Sequence, residues 1–299
     1  MSAEREDSPI EPGEQRRRLG ELLLRLREST GLNQTDFGSR AEMNQSKVSR
    51  LETGRQVPTL AEAHAWARAA GASEETAEQL RERVAAALAQ STNWIDDVRR
   101  RGPASMQRRI AQEERTASMV RSFVTRLVPG LLQTAEYTRR QATIAADFQP
   151  MLARDQAASL ATWVERQLIL YEPGRRFEFI VTEAALRWRP GPDDDPRMLA
   201  AQMHHIASLS TLESVRFGVL PWKQVQRVPP RGDFRIYGEP GVDDDVYVDI
   251  DTATRDLQIR DQTEVAVYLE LWGKLGADAV FDEGARDLLR RLAAEFLAE

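Results

Sequence analysis

The chain has 299 residues, enough for one large or two ordinary domains, and its 41% hydrophobic and 29% charged content is that of a water-soluble globular protein. It contains no cysteine, which excludes disulfides, cysteine-ligated zinc and thiol catalysis and fits a reducing compartment. No apolar run is long enough to span a bilayer, and the start MSAEREDSPIEPGEQ lacks the apolar core of a signal peptide. The expected location is therefore cytoplasmic, on the nucleoid side, with no membrane contact.

The net charge of −6 is unevenly spread. From Glu14 to Arg68, ten Lys and Arg stand against seven acids, whereas the first thirteen residues carry four acids and one base. Affinity for phosphates depends on the local patch rather than the total. The basic portion is thus the place to look for a polyanionic partner, and the acidic remainder disfavours one elsewhere.

In chain order, residues 1–13 are polar, with Pro9 and Pro12, and read as a disordered arm. A helix follows over 14–30, with Leu19, Leu22, Leu23 and Leu26 on one side, an Arg16-Arg17-Arg18 run at its start and Gly31 at its end. The stretch NQTDFGSRAEMNQSKVSRLETG, from Asn33 to Gly54, reads as two short helices joined by a tight turn. Asn33 and Asn44 stand at the two N-cap positions, and Phe37, Ala41, Met43, Val48 and Leu51 make one shared apolar face. That leaves Gln45, Ser46, Lys47, Ser49 and Arg50 outward on the second helix. Such a helix fits the major groove of B-DNA, where Gln pairs with adenine and Arg with guanine in two-pronged fashion. Any one of these residues is equally at home on a solvated face; their combination is what points to DNA.

The same stretch resembles the helix-turn-helix of the phage-repressor/Cro-like (XRE) family in Asn33-Gln34, in Gln45 to Gly54, and in the exit through Arg55, Pro58 and Thr59. The resemblance implies base contacts from Gln45, Ser46 and Arg50, phosphate contacts from Gln34 and Arg55, and a fold-maintaining ion pair of Arg27 with Glu52. Lys47 and Ser49, whose side chains can serve either, are assigned to bases and to phosphate respectively. Two positions depart from the family pattern. Gly38 stands where a small apolar residue is usual, at about 1 kcal/mol of helix propensity relative to Ala. Glu42 stands where the turn usually has Gly, and a left-handed conformation there costs on the order of 1–2 kcal/mol.

After Pro58, Thr59 and Glu62 form a capping box opening a fourth helix, whose Leu60, Ala63, Trp66, Ala67 and Ala70 face inward. His64 lies in it with no second ligand candidate near, so no metal is expected. Gly71 closes that helix, and an Ala-rich fifth runs from Ser73 to about Gln90. Residues 91–105, with Gly102-Pro103, read as the linker between a helix-turn-helix domain at 14–90 and a second domain at 106–299.

In the second domain, helices are expected at 104–117, 134–146, 152–171, 198–211, 260–275 and 283–298. Strands are expected at 119–128, 177–182, 215–220, 234–238 and 246–250, the last two forming a hairpin around GEPGVDDD. The fold class expected overall is an all-α five-helix domain followed by an α+β domain with a small, largely antiparallel sheet covered by helices.

No Gly-rich phosphate loop or Gly-x-Ser-x-Gly elbow occurs, and the adjacent His204 and His205 point to different sides of their helix, so no catalytic residue, metal or cofactor is assigned. The acid runs Asp193-Asp194-Asp195 and Asp243-Asp244-Asp245 lack calcium-loop spacing and read as loop acids. Trp163, Tyr171, Arg187, Trp188 and Trp222 are singled out as a possible pocket for a small anionic or aromatic ligand. The same aromatics are also what packing helices on a sheet requires, and a surface that docks another protein is a third reading.

The phrases VPGLLQTAEYTRR (128–140), YEPGRRFEFIVTEAALRW (171–188), VRFGVLPW (215–222) and DVYVDID (245–251) resemble actinobacterial regulators in which an XRE-type helix-turn-helix precedes a large domain of unassigned ligand. The resemblance covers about 14–299 and implies links with morphological development and antibiotic production. The expectation is a homodimeric, sequence-specific transcriptional regulator that binds a double-stranded DNA operator through a helix at about 45–53. Its second domain would sense a small-molecule effector or a protein partner. The alternative is a protein-interaction adaptor whose helix-turn-helix does not read DNA.

Overall fold

Helix caps and apolar spacing dictate the first half of the molecule. The computed structural model describes residues 12–92, 94–191, 195–229, 232–253 and 255–299. The arm expected at 1–13 falls outside these residues up to position 11, and Pro12 and Gly13 already begin helix α1 (Pro12–Glu28). Helix α2 (Gln34–Arg40) and helix α3 (Gln45–Glu52) start where expected, since the Asn33 and Asn44 side chains accept from backbone amides of their first turns. Helix α4 (Leu60–Ala70) opens on the reciprocal Thr59–Glu62 capping box and closes on Gly71 at φ 64. Helix α5 (Glu74–Leu88) follows.

These five helices share one core built on Leu23, Phe37, Val48, Leu51, Trp66 and Leu80, with Phe37 and Trp66 in ring contact at 4.8 Å. Both departures from the family pattern have structural reasons. Glu42 does adopt the left-handed conformation, at φ 59, that the turn demands. A Cβ on Gly38 would stand 2.6 Å from the Met43 carbonyl oxygen, so the propensity penalty is accepted because only hydrogen fits.

By contacts the described chain divides into two compact units, one of residues 12–92 with 257–264, the other of 94–256 with 265–299. The division falls within the stretch read as a linker, 91–105, and regular elements fill that stretch. Strand β1 (Ala89–Thr92), helix α6 (Trp94–Arg101) and helix α7 (Pro103–Thr116) occupy it, and Gly102, at φ 82, is only the break between two helices. Polar composition signalled exposure, but the apolar Val98 of α6 is fully buried.

The second unit is α+β. Its elements continue with β2 (Met119–Val124), α8 (Ala135–Phe148), α9 (Gln156–Gln167), β3 (Arg176–Thr182), α10 (Glu183–Arg187), α11 (Pro196–Leu209), β4 (Val215–Leu220), β5 (Phe234–Tyr237) and β6 (Tyr247–Asp251). After β7 (Asp256–Ile259) come α12 (Gln262–Asp278), β8 (Val280–Phe281) and α13 (Asp282–Leu297). Helix 152–171 of the sequence reading is thus shorter, flanked by 3-10 turns at Pro150–Ala153 and Leu168–Tyr171.

The sheet of this unit is mixed, in the order β6-β5-β2-β3-β4-β8, and corrects the expected small antiparallel sheet. β2, β3 and β4 run parallel in its centre, while β5, β6 and β8 pair antiparallel toward the edges. Parallel neighbours need a crossover of a dozen or more residues, and the helices between β2, β3 and β4 supply it. One face, with Val120, Phe177, Phe179, Val181 and Phe217, joins the core formed with α11 and α13. On the other, Phe234 meets Tyr268 and Trp272 of α12, at ring centroid distances of 5.2 and 6.5 Å.

Gly20 provides a test of how tightly α1 seats on α3. A Cβ there would meet the Glu52 carbonyl oxygen at 2.5 Å and the Gly54 nitrogen at 2.9 Å, both backbone atoms that cannot yield cheaply. Gly20→Ala is expected to destabilise the first unit by about 1–3 kcal/mol, the usual range for overpacking. Gly273→Ala in α12, with nothing within 4 Å, is instead expected to stabilise by about 0.5–1 kcal/mol. Urea denaturation of both variants measures the contrast.

Candidate nucleic-acid interface and cavity

In the first unit the outward side of α3 is organised by a buried carboxylate. Glu52, 8% exposed, accepts from Arg27 Nε at 2.5 Å and Nη2 at 3.3 Å, and from Gln34 Nε2 at 2.8 Å. Arg27 also donates Nη1 to the Leu32 carbonyl at 2.8 Å, which holds the α1–α2 loop. Gln34 in turn accepts from Gln45 Nε2 at 2.7 Å. A continuous chain of hydrogen bonds therefore runs from α1 through α3 and α2 to the first residue of α3. Its links to Glu52 are charge-assisted, about twice as strong as neutral ones, and the last, between two amides, is neutral.

The structure places the remaining candidates as follows. Gln45 and Ser46 are exposed at the start of α3, and Arg55 is exposed just beyond its end. Arg50 is half-buried, with Nε donating to Gln56 Oε1 at 3.3 Å, and Ser49 is half-buried beside it. Lys47 is held in an ion pair with Glu62, the acid that also caps α4, so it braces α3 against α4. Gln34, assigned to phosphate, here positions Gln45 through its amide oxygen.

The second unit holds a cavity of about 1550 Å³ between the sheet and helices α7, α8 and α9. Trp163, Arg187, Trp188 and Trp222 of the expected pocket line it. Tyr171 does not; it is 62% exposed on the turn after α9 and is removed from the set. Arg187 pairs with both Glu183 and Glu295 at 2.8 Å, so its charge is already answered.

The cavity walls are fixed by buried polar groups that periodicity cannot reveal. Arg166 of α9 donates Nε and Nη2 to the two oxygens of Glu114 of α7, each at 2.7 Å, and both residues are buried. The VPGLLQT stretch is a buried loop whose carbonyls are claimed by three glutamines. Gln133 Nε2 donates to Val128 O at 2.8 Å, Gln167 Nε2 to Leu131 O at 3.0 Å, and Gln202 Nε2 to Leu132 O at 2.6 Å. Buried loops require such partners for their backbone. Tyr137 lies under the same loop, and burial pushes its phenol up to about 12. Asp243, from an acid run read as solvated, accepts from Ser118 N at 3.2 Å and Glu239 N at 2.8 Å, tying a loop to the sheet. Asp193 and Asp194 lie outside the described residues.

At one end of the cavity the sheet carries charge. Arg235 Nη2 donates to Asp249 Oδ2 at 2.6 Å and to Asp251 Oδ1 and Oδ2 at 2.7 and 2.6 Å. Arg109 of α7 pairs with Asp256 and with Glu113. Burial, with the charges of Asp251 and Asp249 adding and Arg109 opposing, pushes the Asp256 carboxyl up to about 7. Burial likewise raises Glu113 against the pull of Arg109. Asp251 goes the other way: burial would raise it, but Arg235, the hydrogen bond from Asp256 and Arg109 together lower it. None of these acids was singled out in the sequence, where they read as alternating strand polarity.

A carboxyl raised in the folded state binds its proton more tightly there than in the unfolded chain. The stability Asp256 contributes is therefore complete below about pH 4 and lost as pH rises toward about 7. The melting-temperature difference between Asp256→Asn and the parent chain is expected to shift in favour of the variant across that interval. Thermal melts followed by circular dichroism at half-unit steps of pH measure it.

Comparison with known proteins gives two matches. A family model described as a helix-turn-helix domain matches residues 18–80, and one described as a domain of unknown function (DUF5753) matches residues 107–291. No curated protein and no solved structure matches the chain. Among the described residues, no helix is long and apolar enough to cross a membrane.

Proposed function

Because the chain belongs to the DUF5753 family and carries a helix-turn-helix domain ahead of that region, we propose that it is a sequence-specific DNA-binding regulator whose second unit senses a small-molecule effector. The observation that carries the first part is the braced presentation of α3. Gln45 and Ser46 stand exposed at its N-terminal turn, where recognition helices meet base edges, and Gln45 is pre-oriented by the Glu52–Gln34 chain. Pre-organisation of a long side chain reduces the rotamer entropy lost on contact. Arg50, one turn further, is a second base reader suited to guanine. Arg55, beyond the helix, is placed for the phosphate backbone, whereas Lys47 serves the fold.

The XRE-type assignment rests on the same residues, together with the left-handed turn at Glu42 and the Arg27–Glu52 pair. A domain of this size makes few base contacts, and a homodimer on two half-sites supplies the affinity and operator symmetry that one copy lacks. For the second unit, a large cavity with aromatic walls supports a binding role. The actinobacterial regulators that the sequence resembles make development and antibiotic production the process to examine first.

Selection of bound fragments from the parent genome, followed by gel shifts at several salt concentrations, tests this reading. Arg50→Ala is expected to lose about 1–3 kcal/mol at one base position and little on sequences differing there. Arg55→Ala is expected to weaken all sequences alike and lower the salt slope by about one. Equal retention of all duplexes by the parent protein would remove the regulator reading and favour the adaptor.

A further inference from the structure

The sheet residues beneath the cavity form a graded row. Phe179, Ser122, Arg235 and Asp249 are successive partners across β3, β2, β5 and β6, and all four line the cavity. Three strand spacings separate its ends, roughly 14 Å at about 4.8 Å each. Trp188 packs against the cluster that holds Phe179, and Trp163 also lines the cavity; at the other end lie Asp249 and Asp251. The floor thus changes from aromatic to acidic over the length of a small organic molecule.

The charges along it decide the sign of the ligand. Each arginine of the lining has a carboxylate of its own: Arg126 with Asp233, Arg139 with Glu136, Arg166 with Glu114, Arg187 with Glu183 and Glu295, and Arg235 with Asp249 and Asp251. No lining arginine is left over to receive an anion. At the Arg235 end carboxylates crowd the cavity instead, since Asp249 and Asp251 both lean on the one guanidinium of Arg235. Asp249 is 1% exposed, yet its Oδ1 has no hydrogen-bond partner. A buried carboxylate oxygen left without a donor is costly, and an incoming N–H group relieves that penalty. Burial raises the neighbouring Asp256 carboxyl, and the charges of Asp251 and Asp249 add to that rise.

We propose that the cavity binds an apolar, ring-bearing molecule with a protonated amine, its body against Trp163, Trp188 and Phe179 and its nitrogen directed at Asp249 and Asp251. This deepens the effector reading above and rests on it, but it reverses the anionic ligand that the pocket arginine suggested in the sequence. Arg235 Nε, also without a partner, is placed to donate to a hydroxyl or carbonyl oxygen carried near that nitrogen. The volume, about 1550 Å³, exceeds the roughly 300–1,000 Å³ of common ligand pockets and accommodates a polycyclic body.

Three fluorescent probes sharing one body and tether provide the test: 4-(1-pyrenyl)butylamine, 4-(1-pyrenyl)butanol and 4-(1-pyrenyl)butyrate. Each is titrated by fluorescence anisotropy into the full chain at pH 7 and physiological salt. The amine is expected to bind at least tenfold more tightly than the alcohol and at least a hundredfold more tightly than the acid. Asp249→Asn is expected to reduce the amine-over-alcohol preference to threefold or less. Should that variant fail to fold by circular dichroism, Asp251→Asn, at the exposed side of the cluster, is expected to lower the preference at least threefold. Equal or tighter binding of the acid, a preference that persists in the folded variants, or no saturable binding of the amine would each overturn the proposal. The same preparation is run in gel shifts on selected duplexes. Intact DNA preference without amine preference defeats this inference alone, while lost DNA preference defeats the regulator reading whatever the probes do.

Discussion

A single carboxylate organises the DNA-facing half of this protein. Glu52 sits in the last turn of α3, almost wholly buried, and a buried charge persists only where it is paired and hydrogen-bonded. Arg27 and Gln34 meet that requirement from two other helices, so satisfying one charge fixes three elements relative to each other. Removing one member of such a pair typically costs about 3–5 kcal/mol, because the other is stranded. The same geometry explains the glycines at positions 20 and 38, where α1 and the turn approach α3 too closely for a methyl group. Recognition depends on side chains held to within fractions of an ångström, and this bracing sets how α3 meets a groove.

The second unit follows a different logic. Its parallel centre is buried on both faces, and its apolar side chains are clamped by polar groups at chosen points. The Arg166–Glu114 pair joins α7 to α9, and the three glutamines close the VPGLLQT loop. Fully satisfied networks of this kind rigidify and specify one arrangement. Two buried polar atoms without a partner, Asp249 Oδ1 and Arg235 Nε, belong to residues that line the cavity.

Local structure was legible wherever side chain and backbone interact within a few residues. The caps at Asn33, Asn44 and Thr59, the terminators Gly31 and Gly71 and the amphipathic face of α13 all appear where spacing places them. The site residues on α3 were legible for the same reason, since a helix start determines which side chains point outward. The helices within 91–105 were not legible because polar residues signal exposure without excluding a helix. The sheet was misread as antiparallel because its hairpin, β5–β6, is the one pairing a sequence displays locally. The parallel order follows from the helices between 124 and 176 and between 182 and 215, which give the chain room to cross over.

By itself the sequence determined the caps and starts of α2, α3 and α4 and which side of α3 faces outward, because these follow from contacts between near neighbours. Only the tertiary structure decided the parallel order of the sheet, the service of Lys47 to the fold, the loss of Tyr171 from the pocket and the meeting of Arg235 with Asp249 and Asp251. Those outcomes depend on which distant charges share a low-dielectric interior. Burial sets the strength of such charges, and burial belongs to the assembled layers rather than to any stretch of chain.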